Sequence, residues 1–172
     1  AEFIVGIGGG SPLDAAKAVA VYSSNENLLP DDIYTAEIIN KPLPSVLVGT
    51  TAGTGSEVTG VSVLTMNSGK KKSVSGKNYY ASLAFADARY TYSVPYAATV
   101  STALDVLCHA VESYLSQKAT EDSRSYAKLA LTVIFGELKR LNDEHTLPNE
   151  DARERLYDAS LYAGKAINIT GT

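Results

Sequence analysis

The chain opens with an apolar run that stops at consecutive glycines, and this junction restricts the fold more than any other feature. Residues 3–8 carry no polar side chain, which is typical of a strand buried on both faces of a parallel sheet. The next residues predict a helix over residues 12–22, with Ser11 as its N-cap and Pro12 as its first residue. A strand that leads directly into a helix predicts an α/β fold with a parallel sheet.

The turn formed by Gly9, Gly10 and Ser11 has the chemistry of a phosphate-binding site. The first N–H groups of a helix have no intrahelical partner, and the helix dipole adds partial positive charge there. Glycine lets the backbone approach a bulky pyrophosphate, and the Ser11 hydroxyl is a further donor. The alternative is a turn that uses glycine only for its conformational freedom, since the motif is neither G-x-G-x-x-G nor a P-loop.

A second strand followed by a polar loop occurs further along the chain. Residues 44–49 are mostly apolar, and residues 50–57 read Thr-Thr-Ala-Gly-Thr-Gly-Ser-Glu. Ligands of open parallel sheets bind outside the carboxyl ends of the strands, so both loops are expected to face one crevice. Alternatively, the hydroxyls satisfy the backbone of their own loop. A third short strand is predicted over residues 83–87.

The remaining sequence changes character near residue 95. Before it, residues 58–65 and 72–74 are expected to be extended around a turn at Asn67-Ser68-Gly69. After it, the apolar residues follow a helical period with no strand pattern. The predicted helices cover residues 100–115, 123–141 and 152–167.

Asp105 and His109 are four residues apart, so both side chains project from one face of the predicted helix. A carboxylate oxygen and an imidazole nitrogen suit Fe²⁺, Zn²⁺ or Mn²⁺ in a catalytic site with open positions. Glu112 lies nearly on the same face and could support a ligand. The alternative is a hydrogen bond between two surface side chains. The rest of the helix is apolar nearly all round, which predicts a buried helix and favours the metal, because buried polar groups need partners.

The composition excludes several other classes of protein. With 45 % hydrophobic and 20 % charged residues, the chain has the composition of an ordinary globular protein. Its net charge of −4 gives no general attraction to nucleic acid or to an anionic membrane. A single cysteine, Cys108, fits a reducing compartment, and no apolar run reaches the roughly 18–20 residues of a membrane span. We therefore expect a cytoplasmic protein without nucleic-acid or membrane partners.

Three motifs, in this order, resemble the iron-containing (group III) alcohol dehydrogenase family. They lie at residues 3–17, 50–59 and 103–116, and the Thr-rich octet at residues 50–57 is the most specific of them. By this resemblance, Asp105 and His109 match two of four metal ligands. The cofactor-binding residues that the resemblance implies are Gly9, Gly10, Ser11, Thr50, Thr51, Ser56, Thr59 and Lys71, with Lys72 as the alternative to Lys71.

The resemblance also implies an architecture and an activity. Residues 1–94 would be the C-terminal part of a Rossmann-like dinucleotide-binding α/β domain, and residues 95–172 the N-terminal part of an all-helical metal-binding domain, as in the dehydroquinate synthase-like fold. The family implies reversible hydride transfer between an alcohol and NAD or NADP. A divalent metal, Fe²⁺ with Zn²⁺ as the alternative, polarises the alcohol oxygen. The expected partners are a small alcohol or aldehyde and, in the full-length protein, further copies of the same chain.

Two departures from the family pattern indicate a chain truncated at both ends. The first βαβ portion of the family has no counterpart here, and the next metal ligand, a histidine, is expected a few residues after Thr172. We therefore expect the 172-residue chain alone to be inactive. A related glycerol dehydrogenase, glycerol-phosphate dehydrogenase or dehydroquinate synthase-like enzyme stays open as an alternative. So does a nucleotide-binding fragment without catalytic activity.

Overall fold

The computed structural model describes residues 1–66 and 68–171, so Asn67 of the predicted turn lies outside the described residues. The chain forms two compact units. The first unit comprises Ala1–Gly49 and Ser56–Phe85, and the second comprises Thr50–Gly55 and Ala86–Thr172. The predicted domain boundary after residue 94 stays a prediction.

The first unit is built on a parallel sheet. Its elements are, in chain order, β1 (Ile4–Gly8), α1 (Gly10–Tyr22), β2 (Ser45–Gly49), β3 (Val61–Thr65), β4 (Lys71–Ser75) and β5 (Leu83–Phe85). Among the described residues, β1, β2 and β5 form the parallel sheet with β2 in the centre, and β3 and β4 form an antiparallel hairpin. Gly8 pairs with Gly49, so β1 and β2 end at the same level. The predicted α/β fold with a parallel sheet is confirmed.

Helix α1 packs closely on this sheet at Gly6. A Cβ atom on Gly6 would lie 2.6 Å from the Cβ of Ala16 and 2.8 Å from Cδ2 of Leu47. These distances are too short for any larger residue without a shift of the helix. Leu13 of α1 joins Ala16 and Leu47 in the buried cluster between helix and sheet. Gly6 therefore sets the separation at which α1 lies on β1 and β2.

The opposite face of the sheet is exposed, which corrects the prediction for β1. Val5 and Ile7 are 50 % and 65 % exposed, and Leu83 and Phe85 of β5 are about half exposed at 50 % and 49 %. In the part of the chain that the structure describes, β1 is therefore buried on one face only. Alternate side chains of a strand point to opposite faces, and α1 covers the face that carries Gly6 and Leu47.

Helix α1 also begins earlier than predicted. Its N-cap is Gly9, whose backbone is extended, and Ser11 is the second residue of the helix. No side chain among the described residues caps this end, so the prediction that Ser11 is the N-cap is wrong. The extended backbone of Gly9, at φ −78°, is open to any residue, and the N–H of Leu13 donates to the Gly9 carbonyl at 3.2 Å. The first turn of α1 therefore includes Gly10 and Ser11 themselves.

Three long helices form the second unit. They are α2 (Tyr96–Leu115), α3 (Glu121–Glu144) and α4 (Glu150–Thr170), each packed on the other two. Their common core is rich in alanine and includes Val106, Ile134 and Leu156, all fully buried. Thr120 and Ser123 form a capping box at the start of α3, where the N–H of Ser123 donates to Thr120 Oγ1 at 3.1 Å. The predicted helical region is confirmed, with each helix longer than the apolar pattern indicated.

The helix that carries Asp105 is covered on one side only. Leu104 and Leu115 of α2 are 47 % and 73 % exposed, and Asp105 is exposed as well. The prediction of a helix buried all round is therefore wrong, because α3 and α4 both pack on the side that carries Ala103, Val106 and Ala110. Within residues 1–66 and 68–171, no helix is long and apolar enough to cross a membrane.

Candidate functional site

The residues predicted to bind cofactor and metal are divided between the two units. The first unit holds Gly9, Gly10, Ser11, Ser56, Thr59 and Lys71, and the second holds Thr50, Thr51, Asp105 and His109.

The glycine turn lies at the carboxyl end of β1 and the N-terminus of α1. Gly8 has φ +151°, and a Cβ atom there would lie 2.8 Å from the Pro12 ring, so this position requires glycine. Gly9 and Gly10 are partly exposed and Ser11 is exposed. The N–H groups of the first helical turn have no intrahelical acceptor and carry the positive end of the helix dipole. An accessible helix N-terminus at the end of a parallel strand has the chemistry that binds phosphate.

Ser56 and Thr59 are 4 % and 6 % exposed, inside the first unit. The Ser56 hydroxyl donates to Asp14 Oδ1 at 2.6 Å and accepts from Lys17 Nζ at 2.9 Å. The Thr59 hydroxyl lies 3.4 Å from the same ammonium and donates to the Ser56 carbonyl. Both hydroxyls therefore take part in contacts within the protein. Their predicted contact with the cofactor stays a prediction.

Lys17 is the most deeply buried charged side chain in the described part of the chain. Its side chain is 0 % exposed, and its ammonium donates to the Val61 carbonyl at 2.6 Å and lies 3.5 Å from Asp14 Oδ1. Burial lowers the pKa of Lys17 from 10.5 to about 8, because loss of hydration outweighs the attraction of Asp14 and Glu57. Sequence reasoning missed this group. The signal was a lone lysine in the otherwise apolar run at residues 15–21, three residues after an aspartate.

Lys71 and Lys72 differ in their surroundings. They are neighbours on β4, so their side chains point to opposite faces of the hairpin. The ammonium of Lys72 lies over the Tyr34 ring, 4.4 Å from its centroid, which is a cation–π contact within the first unit. Both lysines are exposed. The assignment of Lys71 to a cofactor contact, with Lys72 as the alternative, stays a prediction.

In the loop after β2, the glycines make helix contacts in the second unit. Thr50 and Thr51 are half-buried, whereas Gly53 and Gly55 are buried. A Cβ atom on Gly53 would lie 2.7 Å from the Thr102 side chain of α2. Gly55 has φ +60°, and a Cβ atom there would lie 2.9 Å from the backbone of α4 at Gly164. The glycines of this loop therefore serve packing, a role that the sequence pattern did not reveal.

Asp105 and His109 lie one turn apart on α2, as predicted. Nδ1 of His109 is buried and has no hydrogen-bond partner among the described residues. Burial lowers the pKa of His109, opposed by the negative charges of Asp105 and Glu112. A lowered pKa keeps the imidazole neutral near pH 7, and the neutral imidazole is the form that binds metal. A carboxylate beside an imidazole with an unpaired nitrogen fits a divalent cation.

These two side chains are only part of a metal site. Within residues 1–66 and 68–171, no group of three or more His, Cys, Asp or Glu side chains is placed to hold an ion. Catalytic zinc sites use three protein ligands, so further ligands are needed. Cys108 is exposed on the same helix. His145 is the C-cap of α3, with a left-handed backbone at φ 50°, and is exposed.

Comparison with known families assigns both parts of the chain. The family model described as iron-containing alcohol dehydrogenase matches residues 1–88. The model described as the C-terminal part of the Fe-containing alcohol dehydrogenase family matches residues 99–172.

Individual relatives agree with this assignment. Long-chain-alcohol dehydrogenase 1 of Geobacillus thermodenitrificans is 36 % identical, over 99 % of this chain and 43 % of the relative. The 1,3-propanediol dehydrogenase of Klebsiella pneumoniae is 37 % identical, over 97 % of this chain and 43 % of the relative. This chain therefore spans less than half the length of the relatives that it matches.

Solved structures extend the comparison to the fold. An iron-containing alcohol dehydrogenase from Thermotoga maritima is similar with a TM-score of 0.90 and 44 % identity, over 99 % of this chain and 46 % of that one. A sulfoacetaldehyde reductase from Bifidobacterium kashiwanohense, solved in complex with NAD⁺, has a TM-score of 0.87 and 39 % identity, over 97 % of this chain and 44 % of that one. The glycine turn before α1, the Asp-His pair on α2 and these matches together show that the chain belongs to the iron-containing alcohol dehydrogenase family.

Proposed function

We propose that the whole protein containing this chain is an NAD(P)-dependent, metal-containing alcohol dehydrogenase. It transfers a hydride between a small alcohol and the nicotinamide ring, and so interconverts the alcohol with its aldehyde or ketone. The observation that carries this proposal is the match of two family models, one to the α/β part and one to the helical part. The names of the relatives refer to different alcohols and aldehydes. We therefore propose the type of reaction and the class of substrate, a small alcohol, but no individual substrate.

The cofactor is NAD(H), with NADP(H) as the alternative. Its pyrophosphate binds at the N-terminus of α1, where Gly9, Gly10 and Ser11 offer backbone N–H groups and a hydroxyl. The remaining contacts come from Thr50, Thr51, Ser56, Thr59 and Lys71. One relative, the sulfoacetaldehyde reductase of Bifidobacterium kashiwanohense, has been solved with NAD⁺, which supports the choice of nucleotide.

The metal is Fe²⁺, with Zn²⁺ as the alternative. Asp105 and His109 supply two of its ligands from one face of α2, and the other ligands come from elsewhere in the whole protein. A divalent metal in such a site acts as a Lewis acid that draws electron density from the alcohol oxygen. Because its pKa is lowered, His109 stays neutral and available as a ligand near pH 7.

We also propose that the whole protein is cytoplasmic and assembles as a homo-oligomer.

The test of the cofactor site is Gly10→Val in the whole protein. A β-branched side chain at the first residue of α1 would block the approach of a phosphate to the helix N–H groups, whereas the helical backbone of Gly10 accepts valine without positive φ. We expect the dissociation constant for NADH to rise at least roughly tenfold, or about 1.4 kcal/mol. Titration calorimetry with NADH measures it.

The matched control is Gly136→Val on α3, where an added Cβ atom meets nothing within 4 Å. This variant also places valine at a helical glycine, but far along the chain from the turn. It should bind NADH as the unmodified protein does. Unchanged NADH affinity in a folded Gly10→Val variant contradicts the assignment of the pyrophosphate site.

The 172-residue chain by itself is expected to show no turnover. Its described residues hold two metal-ligating side chains on one helix, and two ligands give a weak, exchanging site. NADH formation is measured with a panel of short alcohols and diols, with and without added Fe²⁺ or Zn²⁺. Robust turnover by the purified chain would contradict the assignment of a four-ligand metal site to which this chain contributes Asp105 and His109.

A further inference from the structure

We propose that Gly53 and Thr102 are positioning residues for hydride transfer. The contact between them fixes the loop Thr50–Gly55 against the face of α2 that carries the two proposed metal ligands. This inference rests on the proposed function, since it concerns the same reaction. Neither residue is proposed to touch the substrate, the cofactor or the metal. They act through the loop, which carries two of the proposed cofactor contacts, and through the helix, which carries the proposed metal ligands.

The loop that follows β2 is held by the long helices. Although it comes directly after a strand of the sheet, Thr50–Gly55 belongs to the second unit. Ala52 packs on the core that the three helices share, and a Cβ atom on Gly55 would lie 2.9 Å from the backbone of α4. Thr50 and Thr51 come immediately before Ala52. The two proposed cofactor contacts are therefore tied to the same unit as the proposed metal ligands.

The contact of Gly53 with α2 leaves no room for a side chain. A Cβ atom on Gly53 would lie 2.7 Å from Cβ, 3.1 Å from Cγ2 and 3.2 Å from Cα of Thr102. Gly53 is not among the glycines with positive φ, so its backbone conformation is open to other residues. The close approach of loop and helix is therefore the reason for glycine at this position.

Thr102 lies on the same face of α2 as the proposed metal ligands. Asp105 and His109 follow it by three and seven residues, and side chains at these spacings lie along one face of a helix. At a rise of about 1.5 Å per residue, they are about 4.5 Å and 10.5 Å further along the helix axis. The loop thus contacts α2 within about two turns of both proposed ligands, on their side of the helix.

Hydride transfer is sensitive to small displacements of this kind. The alcohol carbon gives a hydride, with its electron pair, to NAD⁺, and the hydroxyl proton is released to solvent, so a carbonyl compound and NADH are formed. The reacting atoms have to lie about 3–3.5 Å apart, and a displacement of about 1 Å can slow a reaction by roughly a hundredfold. A change at Gly53 should therefore lower kcat more than it weakens cofactor binding.

The test displaces the loop in one variant of the whole protein and removes its contact in another. Gly53→Ala adds a methyl group that pushes loop and helix apart, and Thr102→Gly removes the Cβ and Cγ2 atoms that face the loop. We expect kcat to fall at least roughly tenfold in each variant. The dissociation constant and the KM for the cofactor should stay within about threefold, because the proposed pyrophosphate contacts lie on α1.

The matched control is Ser101→Gly, which places glycine at the exposed neighbouring position of the same helix. It carries a similar loss of helix propensity, so it reports the effect of a glycine in α2 apart from the contact with the loop. This variant should keep the kcat of the unmodified protein.

Two further readouts distinguish a positioning role from a merely structural one. With an alcohol deuterated at the reacting carbon, the primary isotope effect on kcat should rise in both variants, because hydride transfer then limits turnover more strongly. With Mn²⁺ as the bound metal, the paramagnetic relaxation of the nicotinamide protons of bound NAD⁺ should weaken in Gly53→Ala, because this effect falls steeply with distance. A structural role alone would lower the melting temperature and change neither readout in the folded protein.

The double variant Gly53→Ala/Thr102→Gly tests for recovery. It moves the crowding carbon from the helix to the loop and leaves only Cα of residue 102, at 3.2 Å, near the new methyl group. The kcat that Gly53→Ala loses should be largely restored, and the isotope effect should return toward that of the unmodified protein. If Gly53→Ala does not fold, Thr102→Gly and the double variant decide the question.

The possible outcomes separate this inference from the proposed function. If the unmodified whole protein oxidises no alcohol with NAD⁺ or NADP⁺, both are overturned. If it is active, and the folded variants match Ser101→Gly in kcat and isotope effect, the positioning role is wrong and the proposed function stands. A kcat that falls only in proportion to lost metal or lost cofactor binding also contradicts positioning. A lower kcat with a larger isotope effect, at full metal content and retained NADH affinity, supports it.

Discussion

Gly55→Ala is expected to lower the free energy of unfolding of the second unit by roughly 3 kcal/mol or more. The methyl group would lie 2.9 Å from the Gly164 Cα and 2.9 Å from the Ser160 carbonyl oxygen, both backbone atoms of α4. A flexible side chain could move aside, but a helix backbone has to shift as a whole. The backbone of Gly55, at φ +60°, adds a smaller strain for any residue with a Cβ atom. Urea unfolding of the 172-residue chain, followed by helical circular dichroism, measures the change.

Gly171→Ala separates the two causes within the same unit. Gly171 also has positive φ, at +62°, but a Cβ atom there meets nothing within 4 Å among the described residues. This control should therefore show only the backbone strain, of about 1 kcal/mol. If Gly55→Ala and Gly171→Ala lower stability equally, close contact with α4 does not explain why residue 55 is glycine.

His109→Ala in the whole protein is expected to remove the metal and the turnover together. The variant takes away one of the two proposed ligands, Asp105 and His109, and loss of a catalytic metal removes several kcal/mol of stabilisation from the transition state. That corresponds to a decrease in kcat of roughly a thousandfold or more. Binding of NAD(H) should stay within about threefold, because the proposed pyrophosphate contacts lie on α1 and not on α2.

Metal content and cofactor affinity are measured alongside activity. Elemental analysis of the purified variant reports the metal, and fluorescence titration reports NADH binding. His145→Asn is the control, since His145 is exposed at the end of α3 and asparagine tolerates its left-handed backbone. The control should keep full metal content. Full metal occupancy in His109→Ala would show that His109 is not a ligand.

Much of the fold follows from local patterns in the sequence. The apolar run before Gly8 predicts a strand of a parallel sheet, and the helical period after residue 95 predicts the helical unit, because both signals come from neighbouring residues. The i,i+4 spacing likewise places Asp105 and His109 on one face of α2. The motif order and the Thr-rich octet were specific enough to indicate the family, and the family models confirm it.

Other features depended on contacts between residues far apart in the chain. The sequence indicates a buried helix around Asp105, yet α3 and α4 cover only one side of it, so burial was decided by packing. It also indicates Ser11 as a cap, yet α1 begins at Gly10, with the extended Gly9 as its N-cap.

The sequence by itself determined the strands, the helices, the family and the pairing of Asp105 with His109 on one helical face, since periodicity and spacing are local properties. Only the tertiary structure decided that Ser56 meets Asp14 and Lys17 across 42 and 39 residues, and that Gly55 lies against α4. Which partners a buried polar group finds, and how closely two backbones approach, are set by how distant segments pack. No local pattern encodes those distances.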